Sequence, residues 1–135
     1  MKSRENLIRL KRFQADEKRR QVMQIETMIA DFARMVEELD RQILEEERRV
    51  GVDDVTHFAY PTFAKAAAQR RDNLKGSIAG LEEQLATARE AFAEAHEELK
   101  KVELLQERNQ DRERGDDAQA MGAEMGTIGL AMRAG

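Results

Sequence analysis

The sequence has no cysteine, no tryptophan and one proline among 135 residues. Without cysteine there is no disulfide framework and no thiol chemistry, and the chain suits a reducing compartment. Aromatic residues make up 4%, too few large rings to fill a globular core. No segment approaches the ~18 uninterrupted apolar residues of a membrane span. The N-terminal stretch MKSRENLIRLKRFQADEKRR offers no apolar signal-peptide core, so a cytoplasmic location is expected. Also missing are a glycine-rich phosphate loop, a GKS or GKT triplet, and His or Cys at metal-ligand spacing. His57 and His96 are isolated, and read as a loop polar group and a solvent-facing helical residue. Glutamates are abundant, but on long helices no pocket raises a carboxyl pKa for acid–base work. The chain is therefore expected to be non-enzymatic, with no catalytic residue, cofactor or metal.

What is present is helix-forming. Charged residues make up 37% and hydrophobic residues 41%, the latter mostly Ala, Leu, Ile, Val and Met, as in long helices. From Val22, positions alternately three and four apart are Ile25, Ile29, Phe32, Val36, Leu39, Ile43, Glu46 and Val50. All but Glu46 are apolar, which is a heptad seam. Backward, the frame meets Lys18, Ala15, Lys11 and Ile8. There Leu7, Leu10 and Phe13 are expected to take over the apolar face in a shifted phase. Ser3 is a candidate N-cap. A first helix is expected over about 4–50.

Residues 51–62, with Gly51, an Asp pair and Pro61, predict a connection. Thr62 is placed to cap a second helix over about 63–114. Its seam runs Leu74, Ile78, Leu81, Leu85, Ala88, Phe92, Ala95, Leu99, Val102 and Gln106, and backward through Arg71, Ala67 and Ala64. Gly76 and Gly80 weaken this helix by roughly 1 kcal/mol each relative to Ala, and suggest close approach of the facing helix. After Gly115 periodicity is lost, and residues 116–135 are expected to form a flexible tail. The fold class is all-α: a long two-helix antiparallel coiled-coil hairpin over 1–115, each helix roughly 70 Å long at 1.5 Å per residue.

Charge order supports the antiparallel arrangement. Residues 1–20 hold eight basic and three acidic side chains, whereas Glu37 to Glu47 is acidic. The second helix starts basic (Lys65, Arg70, Arg71, Lys75) and turns acidic (Glu90, Glu94, Glu97, Glu98). A hairpin places opposite signs together; a parallel in-register dimer places like signs together. Flanking charges of this kind select orientation and partner.

Three features invite a functional reading beside a plainer one. The basic N-terminal segment suits an acidic protein surface or nucleic acid, or is neutralised by the second helix. Glu46 on the seam either reaches solvent or pairs with Arg70 or Arg71. Phe58, Tyr60 and Phe63 either close the hairpin end as a small core or form an exposed docking patch.

The order of these parts carries a resemblance. A basic helix with LIRLKRFQADEKRRQVMQIE, a heptad run to an acidic end, the connection HFAYPTFAKAAAQRRDNL, a second long helix and a polar tail resemble the FliJ family, above all its alphaproteobacterial members, over roughly residues 1–115. FliJ is the small coiled-coil component of the flagellar type III export apparatus, at the cytoplasmic face of the flagellar basal body. The resemblance implies an antiparallel coiled coil whose termini enter the hexameric ring of the export ATPase FliI and stimulate it. It implies a hairpin tip that meets the export gate protein FlhA, handling of export chaperones, and no catalytic activity. Carried over by spacing, the tip positions are Leu39, Ile43, Glu46 and Val50 on the first helix and Phe63, Ala67, Arg70 and Leu74 on the second. Some relatives have aromatics on the first-helix side and this chain has none there, so Phe58, Tyr60 and Phe63 are favoured for the gate. Arg4, Leu7, Arg9 and Arg12 are the candidates for the ATPase ring. Alternatives are a structural homodimeric coiled coil, a nucleic-acid-binding adaptor that uses the basic helix, and the equivalent stalk of a virulence-type secretion system.

Overall fold

The computed structural model describes the backbone of residues 2–134 and the side chains of residues 2–125. Helix α1 spans Lys2–Val50 and helix α2 spans Thr62–Ala134. The fold is all-α, with the two long helices packed against each other as an antiparallel hairpin. Their packing falls into two compact units, Met1–Ala15 with Glu94–Gly135, and Asp16–Ala93.

In the unit Asp16–Ala93 the seam is the one the heptads predict. Val22, Ile25, Ile29, Phe32, Val36 and Leu39 are half-buried and Ile43 is buried on α1. On α2, Ala64, Ala67, Leu81 and Leu85 are buried. Arg71 reaches Asp40 at 3.1 Å and Arg89 reaches Glu26 at 3.7 Å. The α2 numbers rise as the α1 numbers fall, which gives the antiparallel register. The Asp40–Arg71 pair joins the acidic end of α1 to the basic start of α2, as the charge order anticipates.

In the unit Met1–Ala15 with Glu94–Gly135, the predicted change of phase does not occur. Ile8 and Lys11 are half-buried and Ala15 is 3% exposed, while Leu7, Leu10 and Phe13 are 42%, 51% and 59% exposed. The original frame continues. Its cost is Lys11 on the seam, met by a hydrogen bond from Lys11 Nζ to Glu98 Oε2 at 2.9 Å. The lysine stem packs while its head pairs at the edge. On α2 the inner positions Leu99, Val102 and Gln106 hold as expected.

The boundaries differ in three places. Helix α1 already includes Ser3, so Ser3 is not its cap. Helix α2 opens with Lys65 N–H donating to the Pro61 carbonyl at 3.0 Å. Pro61 is thus the N-cap, and Thr62 is the first helical residue. At the far end α2 runs to Ala134 rather than 114. Ala, Met, Gln and Glu between the glycines favour helix, and among the described residues only Gly51 has positive φ. What α2 lacks there is a neighbour: residues 116–125 are all exposed.

Gly76 and Gly80 are also not where α1 comes close. A Cβ on either meets nothing within 4 Å. The close approach occurs at Ala64 and Ala67, beside the connection. Small side chains there let the helices draw together over Ile43 and Tyr60.

Candidate partner-binding site

The connection is built around one buried ring. Helix α1 stops at Gly51, whose φ of 79° lets its N–H return to the Glu47 carbonyl at 2.8 Å. Glycine adopts this left-handed conformation without a Cβ clash. Asp54 then holds a tight turn: its Oδ1 accepts from the Thr56 N–H at 3.0 Å and the Thr56 hydroxyl at 2.8 Å. These two bonds hold the Asp54 carboxyl below the usual carboxylate range. The His57 N–H donates to the Asp54 carbonyl, and the Tyr60 N–H to the His57 carbonyl. His57 Nδ1 accepts from the Ala59 N–H at 3.0 Å, so the ring's proton is on Nε2.

This wrapping sorts the three aromatics. Tyr60 is 9% exposed and joins Ile43, Ala64 and Ala67 in the tip core, with Leu39, Val52 and Ala68 against it. Its hydroxyl donates to Glu47 Oε1 at 2.9 Å. Burial, then this bond to the carboxylate, raises the Tyr60 pKa above its ordinary value. Phe58 is 97% exposed, stacked at 4.7 Å on the exposed His57. Phe63 is 55% exposed on the first turn of α2. A free ring on a turn whose backbone is tied down loses little entropy on docking.

Of the ten tip residues named from the resemblance, Ile43, Tyr60 and Ala67 are core and have no surface to offer. Phe58, Phe63 and Arg70 are exposed. Leu39 and Leu74 are half-buried, and with Arg70 and Met35 they line one open groove. Val50 is 39% exposed. Glu46 pairs with neither Arg70 nor Arg71. Arg49, one turn along α1, donates to both its oxygens. Those bonds lower its pKa. The Glu46 side chain is 20% exposed, so its stem is covered while its carboxylate reaches Arg49 at the rim.

The other candidates lie in the unit that holds the termini. Leu7, Arg9 and Arg12 are exposed and Arg4 is half-buried. The continuing heptad frame puts Arg9 and Arg12 on one flank of the seam and Leu7 on the other. They do not share a face. Of the N-terminal basic residues, Lys11 is neutralised across the hairpin, whereas Arg4, Arg9 and Arg12 form no ion pair among the described residues. Sequence reasoning missed Leu104 and Leu105, exposed by 47% and 56% in this unit. Their adjacency to the seam residue Val102 was the signal.

Among the described residues no His, Cys, Asp or Glu cluster is arranged to hold a metal ion, and no helix is long and apolar enough to cross a membrane. No family model, curated protein or solved structure matches the chain.

Proposed function

We propose that this protein is a non-enzymatic coiled-coil adaptor of the FliJ type, which binds the flagellar export ATPase FliI through its terminal unit and the export gate protein FlhA through its tip. The observation that carries the proposal is the pair Phe58 and Phe63, exposed on a connection fixed from within by Tyr60. Large aromatics held out on a rigid turn are anchors for a protein partner. The sequence resemblance supplies the names of the partners. The unpaired arginines Arg4, Arg9 and Arg12 support the second contact, because a ring channel lined with acidic groups recognises fixed positive charge. Binding the closed hexamer better than loose subunits favours ring assembly by mass action. In this reading the protein acts at the cytoplasmic face of the flagellar basal body.

The test is the ATP hydrolysis rate of the cognate FliI with and without this protein, with hexamer followed by light scattering. Stimulation together with more hexamer is expected. Arg9→Glu with Arg12→Glu removes it, and Phe58→Ala with Phe63→Ala removes FlhA binding while leaving it intact. A FliI preparation that is active alone and unmoved by the protein overturns the proposal.

A further inference from the structure

The connection contains two side-chain caps of the same form and unlike chemistry. In the first, Asp54 Oδ1 accepts the N–H of Thr56, two residues on, at 3.0 Å. In the second, His57 Nδ1 accepts the N–H of Ala59, also two residues on, at 3.0 Å. Aspartate and asparagine are the usual side chains for such a cap, since they bond the backbone two residues ahead. Imidazole Nδ1 is attached to Cγ as their Oδ1 is, so histidine fills the same place. The difference is that only the neutral ring has an acceptor to offer.

Two tight backbone turns share His57. Its N–H closes the first on the Asp54 carbonyl at 3.1 Å, and its carbonyl accepts the Tyr60 N–H at 3.0 Å to close the second. Phe58 is the second residue of that second turn, exposed and stacked on the imidazole. Tyr60 ends the turn inside the tip core, with its hydroxyl on Glu47. One end of the turn is thus fixed by burial, and the other is exposed and held by His57. His57 makes no ion pair among the described residues. The charged side chains on the elements around it are otherwise engaged or distant in the chain. Asp54 bonds Thr56, Glu47 bonds Tyr60, and Glu46 pairs with Arg49. Asp53 on the connection, Arg48 on α1 and Lys65 on α2 form no ion pair among the described residues. None of these groups gives the imidazole a second hold.

We propose that His57 is a protonation-controlled lock on the hairpin tip: as a neutral ring it holds the turn that aims Phe58, and as an imidazolium it lets that turn go. A proton on Nδ1 takes the lone pair that the Ala59 N–H uses and sets two donors face to face. The ring then rotates away and leaves the Ala59 amide to water. Phe58 goes with it, because a cation over an aromatic face is attracted and the stack survives. Imidazole changes charge between about pH 5 and 8, outside the ordinary ranges of carboxyl, lysine and arginine groups. The consequence for docking rests on the function proposed above: a ring on a released turn loses more entropy when captured, so acid weakens the tip as an anchor. The lock itself does not rest on that reading.

The test is nuclear magnetic resonance on the isotope-labelled full-length chain from about pH 8 to about pH 5. At the upper end the His57 ring nitrogens are expected to show the Nε2–H form. As His57 titrates, the three-bond couplings of Phe58 and Ala59, which report φ, are expected to move with it. Protection of the Ala59 amide, scaled to the unstructured exchange rate at each pH, is expected to fall about fivefold. Two variants bracket the wild type. His57→Asn keeps an acceptor on Cγ and cannot titrate, so its couplings are expected to hold their upper-end values throughout. His57→Ala has no acceptor, and is expected at every pH to resemble the wild type in acid. Couplings and protection that stay constant while His57 titrates overturn the proposal. So does a ring with its proton on Nδ1 at the upper end, an asparagine variant that follows pH as the wild type does, or an alanine variant that keeps the wild-type turn.

Discussion

The Tyr60 hydroxyl donates a 2.9 Å hydrogen bond to Glu47 Oε1, tying the end of the connection to the last turn of α1 across thirteen residues of chain. The bond crosses the turn, so it holds the register of both helices. Tyr60→Phe keeps the buried ring and removes only the bond. It is expected to lower unfolding free energy by ~1 kcal/mol, read as an earlier urea midpoint with unchanged slope. Tyr60→Ala empties the tip core and is expected to cost ~3 kcal/mol. If the two variants unfold at the same midpoint, the ring contributes nothing beyond its hydroxyl and the tip core is not a core.

The sorting of aromatics separates stability from binding. Phe58→Ala and Phe63→Ala remove exposed rings and are expected to shift stability by no more than ~0.5 kcal/mol. Ile43→Ala, at 5% exposure, is expected to cost ~3 kcal/mol. Partner capture shows the reverse: the two phenylalanine variants lose it, and Ile43→Ala keeps it at temperatures where it is folded. Loss of capture by all three in proportion to their stability would make the tip a structural cap alone.

Helix type, antiparallel pairing and the seam were legible because heptad spacing is a geometric constraint. Every inner position from Leu74 to Gln106 lies where the alternation of fours and threes put it. The fate of Phe58, Tyr60 and Phe63 was not legible, because a short connection is governed by turn hydrogen bonds at Gly51, Asp54 and His57 that have no period. The N-terminal phase misled for a different reason. Leu7, Leu10 and Phe13 are the more apolar choice for a single helix, but the register is set by the whole length of the hairpin, which holds Ile8, Lys11 and Ala15 inward.

That override makes a prediction. Leu7→Gln, Leu10→Gln and Phe13→Ser together are expected to leave the melting temperature nearly unchanged, as substitutions on a solvent-facing surface. Ala15→Asp alone, at 3% exposure, is expected to destabilise by ~3 kcal/mol through a buried carboxylate. The opposite ranking by thermal melts would restore the shifted phase.

Beyond Gly115 the described residues 116–125 of α2 are exposed throughout, and a helix without lateral packing is marginal in water. A chain ending at Gly115 is therefore expected to melt at the full-length temperature, with only a loss of helical ellipticity. A lower and broader transition would show that residues 116–135 contribute packing to the rest of the chain.

Lys11 and Glu98 supply the pH dependence. The Lys11 ammonium donates to Glu98 and attracts it, which lowers the Glu98 pKa in the folded protein. In the unfolded chain that carboxyl returns to about 4.3. The contribution is thus fully present above the unfolded value and is lost as pH falls through the lowered folded value. Between pH 7 and pH 5 the pair is expected to leave stability flat, with the decline confined to more acid solution. Glu98→Gln is expected to remove that part of the decline. Lys11→Leu removes it too, but in a different way: an apolar residue on the seam replaces a half-buried cation, so the melting temperature at pH 7 is expected to rise. Lysine at an inner position then serves register and not stability, since it has a partner only when Glu98 lies across from it. The check is a set of thermal melts from pH 7 to pH 3 on the three proteins. A fall in melting temperature for Lys11→Leu at neutral pH would mean the ion pair holds the terminal unit together more strongly than an apolar contact.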